Sequence, residues 1–101
     1  MGKPVYFIID VKINDPEAMK PYQQQVAATF EKFGGRRLIA GGAAETLEGR
    51  APEGKIVMVR FDSMEQAHAW HESPEYQAII GIRHTAAESR AWFVEGVEQA
   101  V

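Results

Sequence analysis

Two opposite charges, Asp10 and Arg60, each stand about six residues into a segment that is otherwise largely apolar. Asp10 belongs to residues 5–13 and Arg60 to residues 55–62, and the two segments are predicted to be neighbouring strands. A charge in apolar surroundings must be paired or must bind something charged. The two side chains therefore form either a structural ion pair or an anchor for a small acidic or hydroxylated ligand. The second interpretation makes Arg60 a ligand-binding residue and Asp10 a candidate catalytic group.

Histidine and arginine side chains on the predicted second helix offer acid–base chemistry. His84 follows Arg83, and histidine titrates near neutral pH, so both join Asp10 as candidate catalytic residues. His68 and His71 stand three residues apart on a helix, a spacing that can chelate zinc. A zinc site needs at least one further protein ligand, and no other residue has suitable spacing. We therefore expect solvated histidines, no metal and no other cofactor.

Aromatic and acidic side chains supply candidate ligand contacts. Tyr22 and Trp70 have the helical spacing of core residues, but their polar tips need partners when buried, so they could also line a pocket. Tyr76, Arg83 and Glu48 could form a cluster at one end of the fold, a convergence that the sequence leaves open. The candidate ligand-binding residues are Tyr22, Glu48, Arg60, Trp70 and Tyr76.

Length and charge restrict the class of protein. The 101 residues suffice for one domain, 1–101, with a modest core. The net charge is −3 and the eleven lysines and arginines are scattered, which argues against a nucleic-acid partner. No apolar run approaches roughly 18 residues and no leader pattern precedes the chain, so we expect neither a membrane span nor a signal peptide. Without cysteine there is no disulfide or thiolate chemistry, and the plain expectation is a cytoplasmic protein.

Four segments have the pattern of strands. Residues 5–13 alternate along their whole length and present one unbroken apolar face. Residues 55–62 are largely apolar on both faces, which suits a central strand that is covered on both sides. Residues 36–43 contain two adjacent glycines and predict an edge strand with a bulge or a close backbone approach. Residues 90–97 form the last predicted strand.

Capping signals place the helices between these strands. Asp15 caps the first helix, but Pro21 removes one backbone hydrogen bond, so we expect a short first turn and a main helix from about residue 20. Ser63 opens a capping box at the start of the second helix. A second cap at Ser73 restarts that helix, which then continues to about Ser89.

This order of elements predicts an α+β protein with the ferredoxin-like βαββαβ arrangement, a four-stranded antiparallel sheet with two helices on one face. Within it we expect the first and third strands to lie side by side in the centre and to run parallel. The helices cover one face only, so the other would expose an apolar patch, which usually marks an interface. We therefore predict a homodimer through the sheet face, in effect a barrel of two chains. The predicted patch contains Tyr6, Ile8, Ile56, Met58 and, depending on register, Trp92 with Val94 or Phe93.

Four stretches of the chain resemble a known family. They are DPEAMKPY at 15–22, GGRRLIAGGAAETLEG at 34–49, FDSMEQAHAWHESPEYQAIIGIR at 61–83 and VEGV at 94–97. Together they span nearly the whole chain and resemble the family known as domain of unknown function 1330. The resemblance implies a ferredoxin-like subunit that forms a dimeric α/β barrel with no established activity. The matched motif positions that capping and turns explain least are Tyr22, Glu48, Trp70, Tyr76 and Arg83.

Three functions fit these patterns. The leading interpretation is a small dimeric protein with one pocket for a small organic molecule in each subunit, acting as a binding module or as a cofactor-free enzyme. The alternative is an interaction protein whose barrel is filled by side chains and has no pocket. The dimeric α/β barrels that the chain resembles include enzymes of several kinds and proteins without known chemistry, so fold alone does not choose.

Overall fold

Three helices pack on one face of a four-stranded sheet in the computed structural model, which describes residues 2–98. The strand order across the sheet is β2-β3-β1-β4. No helix within the described residues has the length and apolar character that crossing a bilayer requires. In chain order the elements are β1 (Val5–Ile13), α1 (Pro16–Glu31), β2 (Arg36–Ala40), β3 (Lys55–Phe61), α2 (Met64–His71), α3 (Pro74–Ala86) and β4 (Ala87–Glu95).

All neighbouring strands are antiparallel, including the central pair of β1 and β3. The prediction that the first and third strands are adjacent in the centre is confirmed, but the prediction that they run parallel is wrong. The crossover through α1 returns the chain in its original direction, so β1 is parallel to β2, with which it does not pair. The connection at 41–54 then reverses the chain, and β3 enters between the two in the opposite direction.

The first helix is continuous, so the predicted start of the main helix at about residue 20 is also wrong. Asp15 caps it by accepting a hydrogen bond from the amide of Ala18 at 3.1 Å. Pro21 lies inside the helix on its exposed side. The carbonyl that proline leaves without an intrahelical donor, that of Glu17, is therefore on the solvent side, where water can bind it.

The predicted restart of the second helix is confirmed, because Ser63 caps α2 and Ser73 caps α3. The predicted end near Ser89 is three residues too late. The amides of Asn14 and Asp15 both donate to the carbonyl of Ala86, at 2.9 and 3.0 Å, and β4 begins at the next residue. Residues distant in sequence thus determine where the helix ends, and no local sequence pattern predicts this end.

The second strand lies at the sheet edge and contains the predicted irregularity. The register with β3 shifts between Arg37 and Ile39, so the bulge precedes the glycines rather than coinciding with them. The strand ends at Ala40, earlier than predicted, because Gly41 has a φ of +77° that turns the chain away from the sheet.

The helices cover one face of the sheet and leave the other face exposed. On the helix side, which we call the inner face, side chains from β1 and β3 pack with the helices around Trp70. On the opposite, outer face, Ile8 stands opposite Trp92 and Phe7 opposite Phe93, so Trp92 points outward and Phe93 inward. Trp92 remains 50% exposed there, and Val94 46%. One subunit therefore leaves its outer face uncovered.

Candidate functional site

A cleft of about 360 Å³ opens between α1 and the inner face of the sheet. The inward side chains of three neighbouring strands form one wall, and the buried stripe of α1 forms the other. The apolar lining includes Phe7, Ile9, Val26, Phe30, Val59 and Trp70.

A cluster of three buried polar side chains, Tyr22, Tyr76 and Arg83, lies at this cleft. Tyr76 and Arg83 are seven residues apart on α3, which places both on the face that packs against α1. The hydroxyls of Tyr22 and Tyr76 are 2.9 Å apart, and Nη2 of Arg83 donates to the Tyr76 hydroxyl at 3.3 Å. Tyr22 and Arg83 line the cleft directly. The structure therefore brings Tyr76 and Arg83 together, as their possible cluster required, with Tyr22 rather than Glu48 as the third member.

The guanidinium of Arg83 is buried, 5% exposed, and contacts only neutral groups. Its Nη1 donates to the hydroxyl of Ser89, and its plane lies over the Tyr22 ring at 5.7 Å from the ring centre. Its Nε–H is buried and has no acceptor in the structure. Within residues 2–98 no carboxylate forms an ion pair with it, in contrast to the paired surface cations such as Lys20.

Burial and the contacts among the three side chains determine the protonation of this cluster. Burial acts to lower the pKa of Arg83, but Tyr76 and Tyr22 outweigh it, and the pKa lies above its ordinary value. Burial, followed by the neighbouring Tyr76, raises the pKa of the Tyr22 phenol far above its usual range. At neutral pH the cleft therefore holds a charged guanidinium beside a protonated phenol. Both are hydrogen-bond donors.

Two further cations stand at the exposed edge of the cleft, Arg37 on β2 and Lys55 on β3. The Arg37 guanidinium lies over the ring of Phe30, 5.3 Å from its centre. In the part of the chain that the structure describes, no aspartate or glutamate lines the cleft. The lining therefore combines apolar walls with three positive charges.

Asp10 lies on the outer face, and its predicted pairing with Arg60 is wrong. Arg60 stands opposite Tyr6 and Asp10 opposite Ile56, so four residues separate them along the strands. Arg60 instead pairs with Asp62 at 2.7 Å. Both residues lie within strands that the period-two pattern identified correctly, but the pattern did not fix the register between these strands.

The carboxylate of Asp10 is fully engaged by other groups. It accepts from the amides of Glu53 and Gly54 at 3.0 and 2.8 Å and pairs with Arg90, which stands directly opposite on β4, at 2.5 Å. Burial acts to raise the pKa of Asp10, but these three donors together lower it below its ordinary value. This geometry fastens the 51–54 segment to the sheet.

The remaining candidates are dispersed. Trp70 is completely buried, donates to Thr29 Oγ1 at 3.0 Å and forms part of the cleft floor. Glu48 is exposed in the 41–54 connection and is absent from the cleft lining, and His84 is exposed on α3. His71 is half-buried 5.6 Å from the Tyr76 ring, and burial, then Arg83, lowers its pKa. Nowhere in residues 2–98 do three or more histidine, aspartate or glutamate side chains form a group that could hold a metal ion.

The sequence profile of the family described as Domain of unknown function (DUF1330) matches residues 4–97. The chain belongs to the DUF1330 family. No functionally curated protein matches it.

Solved structures share the fold of this DUF1330 protein at low identity. The RPA0582 protein of unknown function from Rhodopseudomonas palustris is 18% identical with a TM-score of 0.77, over 98% of this chain and 86% of that one. SnoaB from Streptomyces nogalater, a cofactor-independent oxygenase, is 14% identical with a TM-score of 0.67, over 98% and 97%. A dimeric ferredoxin-like protein of unknown function from Thermobifida fusca is 17% identical with a TM-score of 0.57, over 94% and 92%. These likenesses establish a ferredoxin-like α+β fold.

Neither Arg37 nor Lys55 was among the site residues predicted from the sequence of this DUF1330 chain. The signal was present, because Lys55 has the same parity as the inward-facing Val57 and Val59 of its strand. Arg37 stands opposite Val59, a register that depends on the bulge in β2 and that the pattern alone does not fix.

Proposed function

We propose that this DUF1330 protein binds a small organic molecule in the cleft between α1 and the sheet, as a homodimer with one such site in each subunit. The observation that carries the proposal is an open space of about 360 Å³ that reaches Trp70 in the centre of the core. Protein interiors ordinarily pack without voids much larger than a water molecule. The volume also falls in the range of small-molecule pockets, roughly 300–1,000 Å³.

The same site accommodates either a binding module or a cofactor-free enzyme. The enzyme version is supported by the shared fold with a cofactor-independent oxygenase. In this chain the groups that could act on a bound molecule are Arg83 and Tyr22, which line the cleft, whereas His84 is exposed and Asp10 lies on the other face. Turnover that stops in an Arg83 variant while the dimer persists would identify an enzyme. Binding without conversion would identify a binding module.

The homodimer is supported by the outer face. Its exposed apolar side chains, including Trp92 and Val94, need cover, and one solved neighbour is described as dimeric. Met58 is part of this face, so Met58→Glu would place a charge in the contact. We expect the wild type to sediment as a dimer at micromolar concentration and Met58→Glu as a folded monomer. A monomeric wild type would contradict the proposed assembly.

Binding in the cleft can be tested by NMR, because the chain has two tryptophans in different surroundings. The indole N–H of Trp70 reports on the cleft floor, and that of Trp92 reports on the outer face. With a library of small organic fragments we expect saturable shifts of the Trp70 signal, accompanied by a rise in the melting temperature.

A cleft-blocking variant and a matched control make this experiment decisive. Ala40→Phe fills the cleft from the exposed edge strand, and Ala28→Phe adds the same ring to the exposed side of α1. The Trp70 response should disappear in the first variant and persist in the second. A library without any compound that moves the Trp70 signal would instead favour the interaction protein with a filled interior.

A further inference from the structure

We infer that the ligand of this cleft is an organic anion, a carboxylate with an apolar body, whose head group binds Arg83. This inference rests on the proposed function and adds the chemical class of the ligand. It is carried by the charges of the lining and by the hydrogen bonds of Arg83, and not by the volume of the cleft.

The charge of the cleft is opposite to that of the protein. The chain has 14 acidic and 11 basic side chains and a net charge of −3. The cleft lining, as far as residues 2–98 form it, nevertheless contains Arg37, Lys55 and Arg83 and no acidic residue. Charged side chains of one sign around a cleft with apolar walls concentrate ligands of the opposite sign.

Arg83 lacks the acidic partner that its burial calls for. Among the described residues, Arg60 pairs with Asp62, Arg90 with Asp10 and Lys32 with Glu75. Arg83 is more deeply buried than these three cations, yet it contacts only hydroxyls and an aromatic ring. A buried charge without a counter-ion is costly, and a bound anion would remove that cost.

The donors of the cluster match a carboxylate. A guanidinium presents its N–H groups in a planar fork that fits the two oxygens of a carboxylate. The Nε–H of Arg83 has no acceptor within residues 2–98, and the phenol of Tyr22 stays protonated, so both can donate. The rest of the wall, including Ile9, Val26 and Val59, is apolar and suits a hydrocarbon or aromatic body. A bare inorganic anion would leave that wall unoccupied.

The test compares acids with their neutral primary amides, using benzoate, naphthoate and octanoate as the probes. Calorimetry with the dimer of the whole chain measures the affinities. NMR follows the Nε–H resonance of Arg83, which is assigned as the resonance that disappears in Arg83→Gln. At least one acid should bind about tenfold or more tightly than its amide, because a hydrogen bond to a charged group contributes roughly 1.5–3 kcal/mol. The same acid should shift the Arg83 Nε–H resonance.

Three variants isolate the role of the cation. Arg83→Gln should lose about tenfold or more in affinity for the acid and little for the amide. Arg83→Lys keeps a charge without the planar fork and should give an intermediate affinity. This variant provides the test if Arg83→Gln folds poorly. Lys20→Gln removes the same charge from the exposed side of α1 and should leave the affinity unchanged.

The possible results separate this inference from the proposed function. Equal affinities for acids and amides, or binding of neutral fragments alone at Trp70, would overturn the anion assignment and leave the cleft as a binding site. Acid binding that survives in Arg83→Gln would overturn the role of Arg83. If neither acids nor neutral compounds shift the Trp70 signal, both proposals are overturned.

Discussion

Asp10 and Arg83 are the two charged side chains that this fold buries most completely, each 5% exposed, and they lie on opposite sides of the sheet. Asp10 has an oppositely charged partner and two backbone donors. Among the described residues, Arg83 has hydroxyl acceptors only, and its Nε–H has no acceptor. The two residues are therefore equally buried, but the charge of Asp10 is paired and that of Arg83 is not.

This difference separates a structural charge from one that is available to a ligand. Breaking a fully paired buried charge leaves its partners unsatisfied, which is strongly destabilising. Replacing an under-paired charge removes a desolvation cost and also removes the hydrogen bonds of that charge to neutral hydroxyls, and because these two effects oppose each other the net effect on stability is small. Substitutions around Asp10 should accordingly impair folding, and substitutions of Arg83 should impair binding. Four variants test this contrast, from the largest expected effect on stability to the smallest.

The backbone donors of Asp10 depend on a close approach at Gly54. A Cβ at this position would lie 2.1 Å from the carbonyl oxygen of Val11, so Gly54→Ala forces the 51–54 segment away from β1 and away from Asp10. We expect a loss of about 3 kcal/mol in the free energy of unfolding, as overpacking does at its upper range. The melting temperature should fall by roughly 12 °C or more.

Gly42→Ala is the matched control for this variant, because a Cβ there would meet no atom within 4 Å. Its effect should stay within about 0.5 kcal/mol, as for surface substitutions. Equal midpoints for the two variants in thermal unfolding would show that the 51–54 segment is not fastened in this way.

Asp10→Asn removes the charge and keeps the shape. Because the pKa of Asp10 is lowered in the folded protein, its contribution to stability is fully present above the unfolded pKa, about 3.9. That contribution is lost as the pH falls through the folded pKa. Urea unfolding should therefore show a clear deficit for the variant at pH 7 and 5, which shrinks progressively below about pH 4.

The control for this pH dependence is Asp62→Asn, which breaks the exposed pairing with Arg60. Surface ion pairs contribute little, so its deficit should be small at every pH. A deficit of Asp10→Asn that is independent of pH would mean that shape rather than charge matters at this position.

Tyr22 connects the buried cluster to the cleft through its hydroxyl. Tyr22→Phe removes the hydrogen bond with the Tyr76 hydroxyl and a weaker interaction with Arg83, and it should cost about 1 kcal/mol. Tyr76→Phe removes that contact and the one from Arg83, so it should cost more. Chemical denaturation of both variants measures the order, and a larger loss in Tyr22→Phe would contradict the geometry of the cluster.

Local signals in the sequence predict much of this fold, because caps and period-two alternation are local physics. Ser63 and Ser73 cap helices as expected, and the inner face of β1 is buried as expected. The errors arise from partners distant in sequence. The end of α3 depends on amides that follow β1, and the actual partner of Asp10 depends on the register of β4.

Four members of the candidate site were predictable from the sequence, but its two exposed cations and its assembly were not. Tyr22, Trp70, Tyr76 and Arg83 were all selected from the sequence, and the structure brings all four into one group of contacting side chains at the cleft. Glu48 was selected with them and lies elsewhere, in an exposed connection. A helical period places a residue on a face, whereas convergence of faces from separate elements depends on tertiary packing.

Arg83→Met gives the smallest expected change in stability and the sharpest test of the contrast. The variant loses the contacts with Ser89, Tyr76 and the Tyr22 ring, and it also removes a buried charge that has no counter-ion. Apolar replacement of buried charges is often neutral or stabilising, so the free energy of unfolding should stay within about 1 kcal/mol of the wild type. Urea unfolding without ligand measures this, and the carboxylate affinity of the same preparation should fall. A loss of stability as large as that of Asp10→Asn would show that Arg83 is a structural charge, and the distinction between the two faces of the sheet would then no longer hold.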